Sequence, residues 1–267
     1  MIDRIRAGMG GWTFPPWRGV FYPSKLRQAD ELAWASRKVS TIEINGTYHS
    51  LQKRESFAKW ASQTPDDFVF AVKGSRFCTN RRVLASAGEA IDRFIGQGIA
   101  AMGQKLGPIL WQLMANKRFE LEDLAAFLRL LPEKVEGLPL RHCVEPRHAS
   151  FADPDFVDIC RERRVAICLS DSGGWPLIAD VTADFAYARL MRGRDDVETC
   201  YSGPELDAWA QRFALYASGI QPPDLPSVTS RAPVRASHDV FAFFISGGKV
   251  RAPAGAVALL DRLKTCA

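Results

Sequence analysis

Short apolar runs recur along the chain, separated by stretches whose apolar positions repeat with the period of a helix. Residues 5–10, 41–45, 68–73, 107–113, 141–147, 165–170, 185–191 and 240–246 read as eight strands, rich in Val, Ile, Phe and Tyr. Helical patterns over 25–38, 53–62, 84–101, 120–131 and 252–264 lie between or after them. Asp153 before Pro154 marks the start of another helix, and Ser202 with Glu205 forms a capping box ahead of LDAWAQRFALYA. The connection 171–183 carries no helix signal.

Strand and helix in alternation predict a parallel sheet, and eight such units in roughly 250 residues match a TIM barrel. The rival is a doubly wound open sheet, but no G-x-G-x-x-G follows the first strand. The expectation is therefore an α/β fold, a single TIM (β/α)8-type barrel domain over residues 1–267, with an irregularity after strand six. Residues 221–238, with four prolines, form the one long irregular segment. They lie before the eighth strand, which predicts a packed or mobile loop on the face opposite the strand C-termini.

Composition supports a soluble globular protein: 47% of the 267 residues are apolar and 24% charged. Asp3, Arg4 and Arg6 interrupt the first ten residues, and no uncharged apolar stretch approaches the roughly 18 residues of a membrane span. A cytoplasmic protein with no membrane partner is expected. Six cysteines (Cys78, Cys143, Cys160, Cys168, Cys200, Cys266) form no C-x-x-C pair, which predicts free thiols and no structural zinc. A net charge of +5 biases the protein mildly toward anionic partners, short of the dense basic footprint of a dedicated nucleic-acid binder.

In a barrel, chemistry belongs at the C-terminal ends of the strands. Those ends carry Glu43 and Asn45, Lys73, Gln112, Glu145, Arg147 and His148, Asp171, Arg189 and Arg192, then Ser246, Gly247, Gly248 and Lys249. A carboxylate paired with arginine is a structural explanation for any one of them. Glu43, Glu145, Asp171, Lys73, Arg147 and Arg189 are costly to bury together in one mouth, so the set predicts a solvated site completed by a ligand. Three carboxylates and His148 could hold a divalent metal, though no H-x-x-E spacing supports one. Gly247 and Gly248 with Arg189 and Arg192 form either a phosphate loop or a turn before the last helix. Trp12, Phe14, Trp17, Phe21 and Tyr22 form either a satellite core or, with Trp12 as the best candidate, a stacking surface that Tyr48 and His49 could join. His142 and His238 read as structural or surface residues.

The motifs GMGGWTFPPWRGVFYP, TIEINGTYHS, FAKWASQTPDDFVFAVKGSRFCT, LGPILWQL, VEPRHASF and FAYARLMRG together resemble the YecE-like family of uncharacterised proteins, domain of unknown function seventy-two. The resemblance covers nearly the whole chain and implies a TIM barrel without an established reaction. Family positions match at Trp12, Trp17, Tyr22, Glu43, Asn45, Tyr48, Lys73, Glu145, Arg147, His148 and Arg189. The chain departs at Gly10, where the family usually has serine, at Met191–Arg192 before Gly193, where Leu-His-Gly is usual, and at Ile245–Ser246, where two asparagines are usual.

The leading expectation is an enzyme, a hydrolase or lyase acting on a phosphate-bearing small molecule or nucleic-acid component. Arg189, Lys73 and Arg147 would bind the anion, Glu145 or Glu43 would act as general base, and His148 as acid, with Asp171 a further catalytic candidate. The alternatives are a non-catalytic nucleic-acid-binding protein using Trp12 and Trp17, and a metabolite sensor that binds without turnover.

Overall fold

The computed structural model describes residues 4–230 and 238–265. Eight parallel strands close into one barrel: β1 (Ile5–Gly10), β2 (Thr41–Ile44), β3 (Val69–Lys73), β4 (Leu106–Gln112), β5 (His142–Glu145), β6 (Ala166–Asp171), β7 (Phe185–Leu190) and β8 (Asp239–Phe244). Each pairs with its neighbours in sequence, and β1 pairs with β8 from Ile5 opposite Val240 to Met9 opposite Phe244. This closure excludes the open doubly wound sheet. A two-residue hairpin, Lys134–Val135 against Leu138–Pro139, lies outside the barrel and was not signalled by the sequence.

Alternation along each strand sorts side chains between two cores. Val69, Ala71, Leu110, Cys143, Cys168, Phe185, Tyr187, Phe241 and Phe243 fill the barrel interior. Their strand neighbours, such as Phe70, Ile109, Val144 and Leu190, pack outward against the helices. Those helices are α1 (Glu31–Ala35), α2 (Gly46–His49), α3 (Arg54–Ser62), α4 (Arg76–Thr79), α5 (Gly88–Ile95), α6 (Leu121–Leu130), α7 (Pro154–Glu162), α8 (Gly203–Ala217) and α9 (Ala252–Thr265).

The capping signals hold where the sequence puts them. The Asp153 carboxylate accepts from the Asp155 backbone N–H at α7, and Ser202 and Glu205 form the reciprocal box at α8. Two helical expectations change. The pattern over 25–38 shortens to a 3-10 turn followed by α1, and that over 84–101 breaks into a turn, α5 and a second turn after Gly96 and Gly98. Gly98 has φ of 104°, a left-handed conformation that ends a helix. No helix forms between Asp171 and Phe185, as expected. Instead Asp180 accepts hydrogen bonds from Ser227, Val228 and Thr229, tying the first part of the proline-rich loop to this connection. Residues 231–237 of that loop lie outside the described residues, as does Cys266; the five described cysteines are free and buried. No helix among the described residues is long and apolar enough to cross a membrane.

Barrel closure leaves no room at Gly8, where an added Cβ would lie 1.7 Å from the Thr41 carbonyl oxygen on β2. The obstacle is backbone, so no rotamer change relieves it. Gly8→Ala is expected to lose more than about 4 kcal/mol in chemical denaturation, beyond the ordinary range for a point substitution.

Candidate functional site

The inward-facing positions at the C-terminal ends of β2, β3, β4, β5 and β7 bring Glu43, Lys73, Gln112, Glu145 and Arg189 together, with Arg147 just beyond β5. Arg189 is 2% exposed and sits at the centre. One terminal nitrogen donates to both oxygens of Glu145 at 2.9 Å, and the other donates to Glu43 at 3.0 Å. The second Glu43 oxygen accepts from the Tyr187 hydroxyl at 2.6 Å. Arg147 donates to Gln112 at 2.7 Å and to Glu145 at 3.2 Å, and its guanidinium lies 5.0 Å from the centre of the Trp175 ring. Both carboxylates are fully buried.

Lys73 completes the cluster differently. Its Nζ lies 4.3 Å over the Tyr48 ring and makes no hydrogen bond or ion pair among the described residues, although the residue is only 9% exposed. Its backbone is pinned by the buried Thr47 hydroxyl, which donates to the Lys73 carbonyl at 2.7 Å. Three cations thus face two carboxylates, and both carboxylates are already committed.

The electrostatics follow from this arrangement. Burial would raise the Glu145 pKa, but Arg189, Arg147 and Lys73 outweigh it and hold the carboxyl below its ordinary value. Burial, reinforced by Glu43, keeps Tyr187 protonated as a donor. Burial and then the nearby Arg189 push Lys73 down to about 8, with Glu43 and Glu145 opposing.

Other sequence candidates lie elsewhere. Asp171 sits opposite Leu190 in register, one residue out of phase with the inward Arg189, and accepts from Tyr201 at 3.1 Å. Burial raises its pKa. The His148 Nδ1 accepts from the Ser150 backbone N–H at 3.1 Å, which places the proton of the neutral ring on Nε2, the nitrogen left for a substrate. Asn45 stands at the rim beside Gly10, and Tyr48 contacts Asn80 as well as Lys73. Trp12 packs edge-on against Trp60 and Phe70, and Trp17 is buried with its indole N–H donating to the Lys249 carbonyl. Trp17 and Tyr22 join the main core between strands and helices, with Trp12, Phe14 and Phe21 packed against it, so the aromatic loop extends that core instead of forming a satellite. His142 is structural: its Nδ1 accepts from Trp111 and its Nε2 meets the Pro132 carbonyl.

Gly247 and Gly248 both have positive φ. A Cβ at Gly247 would lie 2.5 Å from the Met191 carbonyl oxygen, and one at Gly248 would lie 2.5 Å from the Arg194 nitrogen. Close packing against the loop after β7 accounts for the glycine pair. Among the described residues no group of three or more His, Cys, Asp or Glu side chains could hold a metal ion. A cavity of about 1290 Å3 opens on the opposite face of the barrel, lined by residues including Arg129, Arg141, Arg161 and Asp184, and contains none of the mouth residues.

Two participants escaped the sequence reading. Tyr187 was legible in principle, because it lies two residues before Arg189 on the same face of β7. Trp175 comes from the irregular connection after β6, where no periodicity points at it.

A barrel with a buried cationic centre at its mouth is the class that fold and site define. The chain belongs to the family described as Protein of unknown function DUF72, which matches residues 6–266. It is 27% identical over 148 residues to the UPF0759 protein YecE of Escherichia coli K12, covering 55% of this chain and 50% of that one, so the match spans about half of the relative's length. Its fold is similar to that of a DUF72 family protein (TM1631) from Thermotoga maritima MSB8, with a TM-score of 0.70, 22% identity and 98% of each chain covered. A DUF72 family protein (EF0366) from Enterococcus faecalis V583 gives 0.68 at 15% identity, covering 97% of this chain and 95% of that one.

Arg189→Met is expected to destabilise the protein by about 3–5 kcal/mol near pH 7, because Glu43 would lose its guanidinium partner and Glu145 would keep only the longer contact to Arg147, both still buried. In the native protein the depressed Glu145 pKa contributes stability above about 4.5 that is lost as pH falls. In the variant, protonation instead relieves the buried charge. The gap between the two denaturation curves should therefore narrow on acidification through that value.

Proposed function

We propose that the mouth is the active site of an enzyme, a hydrolase or lyase, that acts on a small phosphate-bearing substrate. The observation that carries this reading is the charge count: three cations against two carboxylates, with Lys73 lacking any acceptor among the described residues. A bound anion would supply that acceptor and share Arg147, which is 20% exposed and faces outward over its bond to Gln112. Arg189 spends its terminal nitrogens on the carboxylates and acts by positioning them.

The same geometry redistributes the acid–base roles. Glu145, held ionised by two arginines, is a weak base. Lys73, at about 8, is matched to proton transfer near neutral pH. His148 offers Nε2–H as a donor from the rim. The reading as a nucleic-acid binder loses Trp17, whose ring is buried in the main core.

Inorganic phosphate and small phosphate esters should raise the melting temperature relative to chloride at matched ionic strength. The rise should be lost in Arg147→Ala and Lys73→Met. Because the folded-state pKa of Lys73 lies below its ordinary 10.5, the unliganded protein releases this proton near 8, while a bound anion favours the ammonium. The phosphate-induced rise should accordingly shrink as pH increases through about 8. No rise for any phosphate ester would refute the anion site.

A further inference from the structure

The three cations at the mouth are not equivalent. Arg189 and Arg147 each hold a carboxylate, as a planar guanidinium does well and as a residue that never deprotonates must. Lys73 occupies the remaining position, and its Nζ makes no hydrogen bond or ion pair among the described residues: Tyr48 presents the face of a ring, and Thr47 spends its hydroxyl on the backbone. A ring face attracts an ammonium but accepts no conventional hydrogen bond. The amine of a buried lysine beside two guanidinium groups, with no acceptor among the described residues to hold its protons, is in the environment in which lysine becomes a nucleophile.

We infer that Lys73 is a covalent nucleophile that condenses with the carbonyl of a phosphate-bearing aldehyde or ketone. The inference rests on the mouth being an anion site, with Arg147 receiving the phosphate. The Nζ lone pair attacks the carbonyl carbon, the C=O π pair moves to oxygen, and one of the two Nζ protons passes to that oxygen to give a neutral carbinolamine. Loss of water, with departure of the remaining Nζ proton, yields the imine: one amine and one carbonyl give one imine and one water. No redox step is involved.

The downward shift of Lys73 to about 8 agrees with this geometry, since it leaves a usable fraction of free amine at neutral pH. The positioning is also suited. Thr47 Oγ1 bridges the Ile44 and Lys73 carbonyls at 3.1 and 2.7 Å, fixing the end of β3 against that of β2. Gly74, where a Cβ would lie 2.4 Å from the Trp111 ring, lets the chain turn away directly after the lysine. The class also fits a lyase, because a protonated imine accepts electrons from a bond broken next to it.

The test is reductive trapping on the full chain. Protein is incubated with glyceraldehyde 3-phosphate and borohydride, which converts an imine to a stable secondary amine, and each lysine is quantified by peptide mass spectrometry. Neutral glyceraldehyde serves as the comparison. Lys73 should be labelled at least tenfold above the mean of the other lysines, with inorganic phosphate competing and Arg147→Ala reducing the preference for the phosphorylated probe. Because the reading is made on the native chain, it does not depend on a Lys73 variant folding; Lys73→Arg, checked by circular dichroism, should lose the adduct while keeping the melting temperature. Labelling without enrichment at Lys73, in protein whose melting temperature still rises with phosphate, overturns the nucleophile and leaves the anion site standing. No enrichment together with no phosphate effect overturns both.

Discussion

Arg189 lies at the centre of the barrel mouth with Glu43 on one side and Glu145 on the other, and the remaining polar contacts are arranged around that triad. Burying three ions costs several kcal/mol each, repaid only by close geometry and by further hydrogen bonds to the remaining lone pairs. Tyr187 supplies one to Glu43 and Arg147 another to Glu145. Apolar residues of similar volume would fill the same space at no stability cost, so the triad's consequence is better sought in what it does to its neighbours. It consumes both carboxylates internally, which leaves the outward side of the cluster positive.

The strand pattern was legible because parallel barrel strands are buried on both faces and read as apolar runs. The list of strand-end polar residues contained the centre, and in the structure Glu43, Lys73, Glu145 and Arg189 all stand at inward positions. Asp171 shows the limit of listing strand ends without phase. It lies at the end of β6 yet aligns with Leu190, and so turns toward Tyr201. The single-turn helices α2 and α4 are too short to show a period, and α5 is shorter than its pattern because Gly98 requires a left-handed backbone. Gly247 and Gly248 were ambiguous for a different reason. A glycine needed for a ligand's approach and one needed for another loop's approach have the same sequence signature, and only the spacing to Met191 and Arg194 separates them.

Gly10 and Ile245 are also spatially related. A side chain at Gly10 would meet Asn45 Nδ2 at 2.8 Å and Ile245 Cδ1 at 3.1 Å, so the end of β1 and the residue after β8 share one space. Ile245 occupies volume that a residue larger than glycine at position 10 would need. The pair makes this corner of the rim apolar beside Asn45.

This gives the mouth two unlike halves. The side formed by β3, β4 and β5 carries Lys73, Gln112 and Arg147, the last beneath Trp175. The side formed by β8 and β1 carries Ile245 and Gly10. Phosphate in many TIM barrels is held after strands seven and eight, but here that loop pair is packed backbone to backbone, and Lys73 and Arg147 lie across the opening. A ligand satisfying both halves would place its charge toward Lys73 and Arg147 and its apolar part toward Ile245. A carbonyl next to that charge would then lie on the Lys73 side of the opening, where the triad has consumed both carboxylates.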